Sequence, residues 1–383
     1  MKLAIVRQKY TPFGGAERFV ERALTALREQ GVDVSIIARE WRADAPAGLQ
    51  GVRIDPFYLG RTWRDAGFAR GVQRLIAEKR FDLVQSHERI PGCDIYRAGD
   101  GVHATWLELR NKPLDALSPW HRYTLAAEAE MFRHPKLRAV ICNSRMVRDD
   151  IARRFGVADE KLQVIYSGVD LDAFHPRLRE EQGNALRQKT GVDAATPLIL
   201  FVGSGYERKG LPTLLHALSR MTRGDARLWV VGRDKHESLM RNLAQTLGVD
   251  DRVMFLGAQT DVRPFYGAAD VFALPTLYDP FPNAALEALA CGLPLVTTTT
   301  CGAAELVTAA NGSVISASDV PGLAASLDSL CGRAPQMRDA ARASVAHLEL
   351  STMAAQLMAL HAGLQAKGRP ATSLEVKSPV SPA

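Results

Sequence analysis

The stretch Leu198-Ile-Leu-Phe-Val-Gly-Ser-Gly-Tyr-Glu-Arg-Lys-Gly210 passes from five apolar residues into a glycine-rich turn with two adjacent cations. The apolar run is short and continuous, which is typical of a strand buried in a parallel sheet. An amphipathic segment begins at Gly210, and its apolar residues recur at helical spacing: Leu211, Leu214, Leu215 and Leu218. A strand, a turn of small residues and a helix in this order indicate one unit of an α/β protein.

Short apolar runs alternate with amphipathic segments on both sides of this unit. The runs predicted as strands are residues 3–6, 34–37, 83–86, 139–143, 162–166, 198–203, 228–231, 253–256, 271–274 and 295–298. A first long helix is predicted at residues 16–30 and a last one near residues 353–364. Such alternation favours βαβ units and parallel sheets.

The alternation breaks between residues 167 and 197, where glycine, proline and charged residues are frequent. A chain of 383 residues is long enough for two domains. We therefore predict an N-terminal α/β domain over residues 1–168 and a C-terminal one over residues 169–366. Residues 367–383 are rich in Pro, Ser and Thr, and we expect them to form a disordered tail.

The composition is that of an average globular protein, with 46% apolar and 23% charged residues. It excludes wholesale disorder, collagen and coiled coil. No apolar run approaches the roughly 18–20 residues that a transmembrane helix needs, and no export signal precedes the first strand, so we expect a cytoplasmic protein. The five cysteines are scattered without a Cys-x-x-Cys pair, which argues against a disulfide framework and a structural zinc site.

The net charge of +6 lies entirely in the first 150 residues, which hold 25 Lys and Arg against 19 Asp and Glu. A basic half suggests an anionic partner: nucleic acid, anionic lipid or a phosphorylated glycan. A merely solvated basic face explains the excess equally well. No nucleic-acid-binding motif accompanies the charge, so we expect no nucleic-acid partner.

A pair of glycines, Gly14 and Gly15, follows the first predicted strand and precedes the first long helix. Paired glycines let the backbone approach a ligand closely, and a helix start suits a phosphate or carboxylate. The pattern is not G-x-G-x-x-G, which disfavours a nicotinamide site. A plain tight turn explains the pair as well.

The turn between Gly203 and Gly210 places Arg208 and Lys209 at the carboxyl end of a strand, where doubly wound sheets bind ligands. Arginine can grip a phosphate through two N–H donors, and lysine acts as a point charge. The segment predicts a clamp for a diphosphate.

A third segment, Tyr278-Asp-Pro-Phe-Pro-Asn-Ala-Ala-Leu-Glu287, follows the strand predicted at residues 271–274. Asp279 falls in the loop and Glu287 in the next helix, and Asn283 stands where an N-cap is expected. Two carboxylates at different heights on one crevice can accept hydrogen bonds from the vicinal hydroxyls of ribose and hexose. Alternatively, Asp279 is a turn former and Glu287 an exposed helix residue.

In this order and context, the second and third segments resemble retaining glycosyltransferases of the GT-B fold, family 4. That family has Arg and Lys after the first strand of its C-terminal domain, followed by two glutamates in the pattern E-x7-E. Val164-Ile-Tyr-Ser-Gly-Val-Asp-Leu-Asp-Ala-Phe-His-Pro176 resembles the family's link between domains, and Val140-Ile-Cys-Asn-Ser144 resembles one of its strand ends. The resemblance implies two Rossmann-like domains that face each other across a cleft.

A closer likeness is to bacterial lipopolysaccharide core glycosyltransferases of the glucosyltransferase I kind. It rests on Tyr10-Thr-Pro-Phe-Gly-Gly15, Ile90-Pro-Gly-Cys-Asp-Ile-Tyr96, Gly203 to Gly210 and Thr298 to Gly302. The sequence departs from the family at the first motif carboxylate, where Asp279 replaces the usual Glu. The shorter side chain puts the identity of the transferred sugar in doubt.

The likeness implies roles for single residues. Arg208 and Lys209 would neutralise the leaving diphosphate of a nucleotide sugar, expected to be UDP-linked, and Gly14, Gly15 and Gly203 would border it. Glu287 would accept from the ribose and Asp279 from the transferred hexose. Backbone N–H groups of Asn283, Ala284 and Ala285 would add to phosphate binding. In the family the protein cations do this work, so neither a metal nor a cofactor is expected.

The resemblance places the acceptor, a lipid-linked or lipopolysaccharide glycan, in the N-terminal domain. Asp100 is the favoured catalytic residue on that side, with His103 and His87 as further candidates near the cleft. The alternatives are a turn aspartate, a surface histidine and a satisfied histidine at a strand end.

Aromatic and basic residues are interleaved over residues 104–138. Such a segment suits an anionic membrane surface, which would put the protein at the inner face of the cytoplasmic membrane. Equally, the same aromatics can pack in the domain core.

Three function classes remain at this point. The leading one is a hexosyltransferase that builds a bacterial surface glycan. A sugar-nucleotide epimerase of the GT-B type would need no acceptor, and a non-catalytic sugar-nucleotide binding protein would need no turnover.

Overall fold

The computed structural model describes residues 1–10, 31–41 and 50–368. Two parallel sheets organise these residues, which confirms the predicted α/β class with two Rossmann-like domains. The predicted first helix, at residues 16–30, lies outside the described residues. Of the predicted tail, residues 369–383 also lie outside them.

The first sheet has the strand order β3-β2-β1-β4-β5-β6-β7, and its pairs are parallel. The strands are β1 (Lys2–Tyr10), β2 (Asp33–Trp41), β3 (Gln50–Arg53), β4 (Leu83–Ser86), β5 (Ile95–Ala98), β6 (Ala139–Cys142) and β7 (Leu162–Val164). In β1, Leu3 pairs with Val34 on one side and with Leu83 on the other. The strand order reverses at β1 and β4, where open α/β sheets bind ligands beyond the carboxyl ends of their strands.

Four helices cover one face of this sheet: α1 (Gly60–Glu78), α2 (His103–Arg110), α3 (Pro119–Arg133) and α4 (Arg145–Phe155). Serine side chains cap two of them. Ser118 accepts from the backbone N–H of His121 and Ser144 from that of Val147. Such caps satisfy first-turn N–H groups that have no partner inside the helix.

The second sheet repeats the plan with the order β10-β9-β8-β11-β12-β13, again parallel. Its strands are β8 (Leu198–Val202), β9 (Arg227–Val231), β10 (Val253–Gly257), β11 (Val271–Leu274), β12 (Leu295–Thr298) and β13 (Gly312–Ile315). The reversal here lies between β8 and β11, so the loops after these two strands form the ligand-binding edge.

The helices of the second domain are α5 (Asn184–Lys189), α6 (Leu211–Leu218), α7 (Glu237–Thr246), α8 (Arg263–Ala268), α9 (Asn283–Ala290) and α10 (Val320–Ser344). One apolar core joins them to the sheet, and the four leucines of α6 predicted from the sequence are buried in it. Because the strands are buried on both faces, they read as continuous apolar runs rather than as alternating ones.

The last helix, α11 (Leu350–Ala366), packs on the first domain. Its residues Met353, Leu357 and Leu364 belong to the same apolar cluster as Leu3 and Ile5 of β1. In addition, its His361 contacts Gln85 of β4 at 2.8 Å between Nε2 and Oε1. The chain therefore crosses from the second sheet back to the first before it ends.

The inner strand β5 and two edge strands, β3 and β13, are absent from the list of predicted strands. Each of the two edge strands pairs with a single neighbour, and most of β3 is exposed. An edge strand needs no continuous apolar run, so the pattern used to find the other strands does not detect it.

Candidate active site

Loops from both domains line one cleft. A cavity of about 790 Å³ lies between the carboxyl ends of the two sheets. Arg97 and Asn143 line it from the first domain, and Gly203, Arg208 and Lys209 line it from the second. The predicted cations therefore lie in a hollow that the two domains share.

The turn after β8 depends on glycines at positions where a side chain has no room. Gly203 has a φ of +153°, and a Cβ atom there would lie 2.5 Å from Cδ of Lys209. Gly210 has a φ of +79°, and a Cβ atom there would lie 1.8 Å from the carbonyl oxygen of Pro275. Only glycine tolerates both the conformation and the contact. The turn thereby holds Arg208 and Lys209 against the loop that follows β11.

Arg208 and Lys209 converge on one carboxylate oxygen. Nη1 of Arg208 lies 3.2 Å from Oδ2 of Asp279, and Nζ of Lys209 lies 3.1 Å from the same atom. Arg208 also donates to the carbonyl oxygen of Tyr278 at 3.1 Å. Asp279 is 6% exposed, whereas the Arg208 side chain is 38% exposed towards the cleft. The aspartate thus fixes both cations while the guanidinium stays accessible.

The helix after this loop, α9, begins at Asn283, and Pro282 holds the capping position with a φ of −73°. The expectation that Asn283 is the N-cap is therefore wrong by one residue. Proline fits there because its fixed φ suits the extended backbone of a cap. Asn283 and Ala284 line the cleft cavity. Ala285 is buried, and its N–H donates to the carbonyl of Pro282 at 3.1 Å, so that N–H is not open to a ligand.

Glu287 lies one turn further along α9, on the face that Asn283 occupies. Its Oε2 accepts a hydrogen bond from the phenol of Tyr266 at 2.8 Å. Burial, and then the neighbouring Glu287 carboxylate, raise the pKa of Tyr266 well above its usual value, so the phenol remains a donor. Glu287 is not among the lining residues of the 790 Å³ cavity. It stands one helical turn behind the cleft wall.

On the first domain, Asp100 and His87 both line the cleft. Asp100 follows β5 and is exposed, and His87 follows β4. Nε2 of His87 accepts from the amide nitrogen of Gln85 at 2.9 Å. Burial and then the charges of Arg7 and Arg97 hold the pKa of His87 well below its usual value, so its ring is neutral.

The third acceptor-side candidate, His103, lines a second cavity of about 470 Å³ that adjoins the first. Its Nε2 lies 3.0 Å from Nδ1 of His121, and Nε2 of His121 lies 3.6 Å from Asp115. Burial, with the charges of Arg89 and His121, lowers the pKa of His103 to about 3. His103 is buried rather than on the surface, and it is a neutral hydrogen-bonding group at neutral pH.

The loop that carries Asp100 is anchored by a buried ion pair. Nε of Arg89 lies 2.8 Å from Glu128, which is 1% exposed, and its Nη2 donates to the carbonyl of Gly101 at 3.0 Å. Glu128 also accepts from the backbone N–H of His103 at 2.9 Å, so its carboxylate occupies the start of α2. A charge at a helix N-terminus and a paired guanidinium together fix this turn.

Several cleft residues escaped the sequence analysis. Glu88, Arg7 and Arg97 line the large cavity, and Tyr278 contacts the opposite domain through Val102 at 2.8 Å. Glu88 was within reach of the sequence analysis, because it directly follows His87 at the end of a predicted strand. For Arg7, Arg97 and Tyr278, no sequence pattern predicts which distant part of the chain they approach.

The interleaved segment at residues 104–138 divides into two parts. Met131 and Phe132 are buried in the core of the first domain, so the packing alternative holds for them. Leu114 and Leu117, on the short helix Pro113–Leu117, are 76% and 74% exposed. The most exposed large apolar side chains of this segment are therefore leucines, not aromatic residues.

Gly14 and Gly15 lie outside the described residues. Over residues 1–10, 31–41 and 50–368, no group of three His, Cys, Asp or Glu side chains is arranged to hold a metal ion. Within the same residues, no helix has both the length and the apolar character to cross a membrane. The five cysteines are unpaired, and four of them are buried.

Comparison with known proteins agrees with this architecture. The family model Glycosyltransferase Family 4 matches residues 13–173, and the model Glycosyl transferases group 1 matches residues 196–333. The chain is 28% identical to the lipopolysaccharide glucosyltransferase WaaG of Escherichia coli (strain K12) over 319 residues, covering 82% of this chain and 85% of the relative.

Solved structures show the same arrangement. The crystal structure of WaaG, a glycosyltransferase involved in lipopolysaccharide biosynthesis, superposes with a TM-score of 0.81 at 26% identity, covering 94% of this chain and 99% of that one. Anabaena Alr3699/HepE in complex with UDP-glucose superposes at 0.71 with 20% identity, covering 95% and 100%, which shows the fold alone. Neither the epimerase nor the non-catalytic alternative is favoured by these relatives. With one glycosyltransferase family model on each domain and a WaaG-like arrangement of the two, the chain is a glycosyltransferase of the GT-B type related to WaaG.

Proposed function

We propose that this glycosyltransferase is a retaining hexosyltransferase that uses a nucleotide sugar, expected to be UDP-linked, and a lipopolysaccharide core or related surface glycan as acceptor. The observation that carries the proposal is the convergence of Arg208 and Lys209 on Asp279 inside the cleft. Two similar proteins support the acceptor and the donor of this proposal. One is named a lipopolysaccharide glucosyltransferase, and the other is described in complex with UDP-glucose.

The charge of the cleft suits a diphosphate. Among the described residues that line the 790 Å³ cavity, six are cationic and three are carboxylates. The cations are Arg7, Lys9, Arg64, Arg97, Arg208 and Lys209. Fixed positive groups in a partly enclosed cleft stabilise negative charge more strongly than they would in water.

The chemistry that follows is catalysis of leaving-group departure. As the bond between the anomeric carbon and the diphosphate oxygen breaks, Arg208 and Lys209 stabilise the charge that grows on the diphosphate. The acceptor oxygen forms the new bond to the anomeric carbon, and its proton passes to a phosphate oxygen. Retention of the anomeric configuration rests on the family resemblance and would be read from the product by NMR.

Asp279 and Glu287 would hold the donor's hydroxyl groups. Asp279 keeps Oδ1 for a hexose hydroxyl while Oδ2 holds the two cations. Glu287, whose carboxylate accepts from Tyr266, would accept from the ribose. Asp100 would face the acceptor from the first domain.

A thermal-shift screen with UDP-glucose, UDP-galactose, ADP-glucose and GDP-mannose tests the donor. A ligand at 100 times its Kd should stabilise the fold by about 2.7 kcal/mol. Arg208→Ala and Lys209→Ala should each lose most of that shift and most turnover, whereas Arg241→Ala, on the exposed side of α7, should lose neither. Stabilisation and turnover that survive both cleft substitutions would refute the proposed role of the cations.

We further propose that the first domain docks on an anionic membrane surface. Apolar side chains are exposed at two places: Phe57, Leu59 and Trp63 around the start of α1, and Leu114 and Leu117 just before α3. These places are neighbours, because Arg61 lies over the ring of Trp120 at 5.7 Å and Trp120 donates to Asp65 at 2.7 Å. Apolar side chains that insert beside cations are typical of interfacial binding.

Liposome flotation tests this docking. Binding should require anionic lipid and weaken with salt, because the electrostatic part is screened within about 8–10 Å at physiological ionic strength. The double variant Leu114→Asn/Leu117→Asn should float less than the unmodified protein. Leu239→Asn, an exposed leucine on the other domain, is the matched control. Flotation that ignores both salt and the double substitution would contradict the docking.

A further inference from the structure

The smaller cavity, of about 470 Å³, adjoins the donor cleft but has a different chemical character. Seven described residues line both cavities: Gln8, Arg64, Glu88, Gly99, Asp100, Arg208 and Asp279. The two hollows therefore meet at Arg208 and Asp279 of the second domain and at Arg64, Glu88 and Asp100 of the first. A group that enters the smaller cavity reaches the end of the donor cleft that holds Arg208.

The cations that line the smaller cavity are already paired. Nε of Arg64 lies 2.7 Å from Asp65, Nε of Arg89 lies 2.8 Å from Glu128, and Arg208 is held by Asp279. Each pairing uses a carboxylate of the protein. Each of these three cations is thus balanced by a carboxylate, so the pairs add no net positive charge to the cavity.

Two carboxylates of the cavity, Glu88 and Asp100, make no ion pair within the described part of the chain. One oxygen of Glu88 accepts from the backbone N–H of Gln8 at 2.8 Å, and no other side-chain hydrogen bond of Glu88 is formed there. Burial, together with the charge of Asp100, raises the pKa of Glu88. A ligand between them must donate hydrogen bonds rather than bring negative charge.

The same cavity also has aromatic lining residues. Trp106, Trp120 and Tyr123 line the cavity. Trp120 is held in place because its indole N–H donates to Asp65 and the guanidinium of Arg61 lies over its ring. Aromatic surface together with hydrogen-bond acceptors in one cavity matches a pyranose ring, which has apolar C–H faces and a rim of hydroxyl groups.

We propose that this cavity binds the terminal sugar of the acceptor and selects a neutral, hydroxyl-rich ring over a phosphorylated or carboxylated one. Glu88 and Asp100 accept from its hydroxyls and repel an anionic substituent. The inference rests on the proposed function, because it assigns the acceptor side of the same cleft. It also assigns the basic excess of the first domain to the donor cleft and the outer surface, rather than to the acceptor subsite.

The test uses the full chain saturated with UDP and follows tryptophan fluorescence, since Trp106 and Trp120 line the cavity. The probes are octyl glucoside, octyl mannoside and octyl galactoside, each compared with its 6-phosphate. At least one neutral glycoside should bind roughly tenfold or more tightly than its 6-phosphate, because like charges in a partly buried site are costly. Equal binding of the two classes, tighter binding of the phosphates, or binding of neither class overturns the proposal.

Variants separate the charge effect from damage to the fold. Glu88→Gln and Asp100→Asn keep the size of each side chain and should reduce the preference for the neutral glycoside, the double variant most strongly. Glu130→Gln, an exposed residue on α3, should leave it unchanged. If the double variant discriminates as well as the unmodified protein and melts at the same temperature, the two carboxylates do not select the acceptor.

The donor side is measured on the same samples, so the two hypotheses can fail separately. A chain that is stabilised by a UDP-sugar yet prefers phosphorylated glycosides would refute the subsite and leave the proposed function standing. A chain that binds neutral glycosides and no nucleotide sugar would refute the proposed function and leave the subsite standing.

Discussion

The phenolic oxygen of Tyr278 lies 2.8 Å from the backbone nitrogen of Val102, and this hydrogen bond joins the two domains directly beside Asp279. The fit is close, because a Cβ atom on Gly101, which has a φ of +67°, would lie 2.2 Å from that phenolic oxygen. Burial raises the pKa of Tyr278, so the phenol stays protonated at working pH. The contact ties the loop of Asp100 to the loop of Asp279.

Tyr278→Phe should therefore weaken the alignment of the two loops without creating a cavity in the core. Loss of the hydroxyl leaves the N–H of Val102 without its partner, at a cost of about 1–3 kcal/mol. We expect kcat to fall by about tenfold or more with a smaller change in the KM of the donor, since the donor loop itself is intact. Tyr58→Phe, near the outer surface, is the control. Unchanged kcat in the Tyr278 variant would show that the contact does not align the site.

The buried pair of Arg89 and Glu128 gives a prediction about stability. Glu128→Gln leaves the guanidinium of Arg89 without its counter-charge inside the first domain, which should lower the free energy of unfolding by about 3 kcal/mol. Glu130→Gln lies two residues away on the same helix and is exposed, so it should change the free energy by less than about 0.5 kcal/mol. Urea denaturation measures both, and equal midpoints for the two variants would contradict the prediction.

The sequence was sufficient for the parts of the fold that depend on local pattern. The continuous apolar runs of β8 and β11 identified buried parallel strands, and the placement of Arg208, Lys209 and Asp279 after those strands put them at one sheet edge. Local pattern also identified the glycines at positions 203 and 210, whose conformations exclude a side chain. These inferences need only neighbouring residues and the rule that carboxyl ends of parallel strands meet.

Contacts between distant residues could not be predicted in the same way. Tyr278 and Val102 are separated by 176 positions in the chain, and Glu128 reaches Arg89 across 39. Which distant residues come into contact depends on the register of two sheets and on the angle between two domains. Neither can be predicted from a local sequence pattern. The start of a helix is also hard to predict to the residue. Asn283 was expected to be the N-cap, but it is the first helical residue and Pro282 is the cap.

Metal independence is a prediction of the charge distribution in the cleft. The negative charge of a departing diphosphate would be met by Arg208, Lys209 and the other cleft cations, so a divalent ion has no necessary role. Activity should be unchanged after incubation with EDTA and removal of the chelate. A loss that Mg²⁺ or Mn²⁺ restores would instead show that the protein cations are insufficient.

The histidine that links α11 to the first domain predicts a dependence of stability on pH. Burial lowers the pKa of His361 to about 4, and its ring contacts Gln85 at 2.8 Å. Its folded-state pKa lies below the unfolded value of about 6.5, so the unfolded state binds more protons between these values. Stability from this residue is therefore complete above about pH 6.5 and is lost as the pH falls towards 4.

We expect this histidine to contribute a loss on the order of 2 kcal/mol between pH 7 and pH 5. His361→Gln should flatten that part of the stability curve, and His347→Gln, at an exposed position, should not. Urea denaturation at several pH values measures the slopes. Parallel curves for the His361 variant and the unmodified protein would exclude the residue as a source of acid sensitivity.

The final prediction concerns the aspartate that stands where the family has glutamate. Asp279 reaches both Arg208 and Lys209 with one oxygen, at 3.2 and 3.1 Å, because its short side chain brings the carboxylate up against the turn after β8. Asp279→Glu would move the carboxylate outward by one methylene and press on those contacts. We expect the variant to fold, to bind UDP with little change, and to change its relative kcat/KM for UDP-glucose and UDP-galactose by about tenfold.

Asp279→Asn completes the comparison, because it keeps the length and removes the charge. It should lower kcat by about a hundredfold for each donor without changing their ratio, since the two cations lose the group that positions them. The length of the side chain would then set which sugar is accepted, and its charge would set the rate. A glutamate variant with the same donor ratio as the unmodified protein would show that the hexose is selected elsewhere in the cleft.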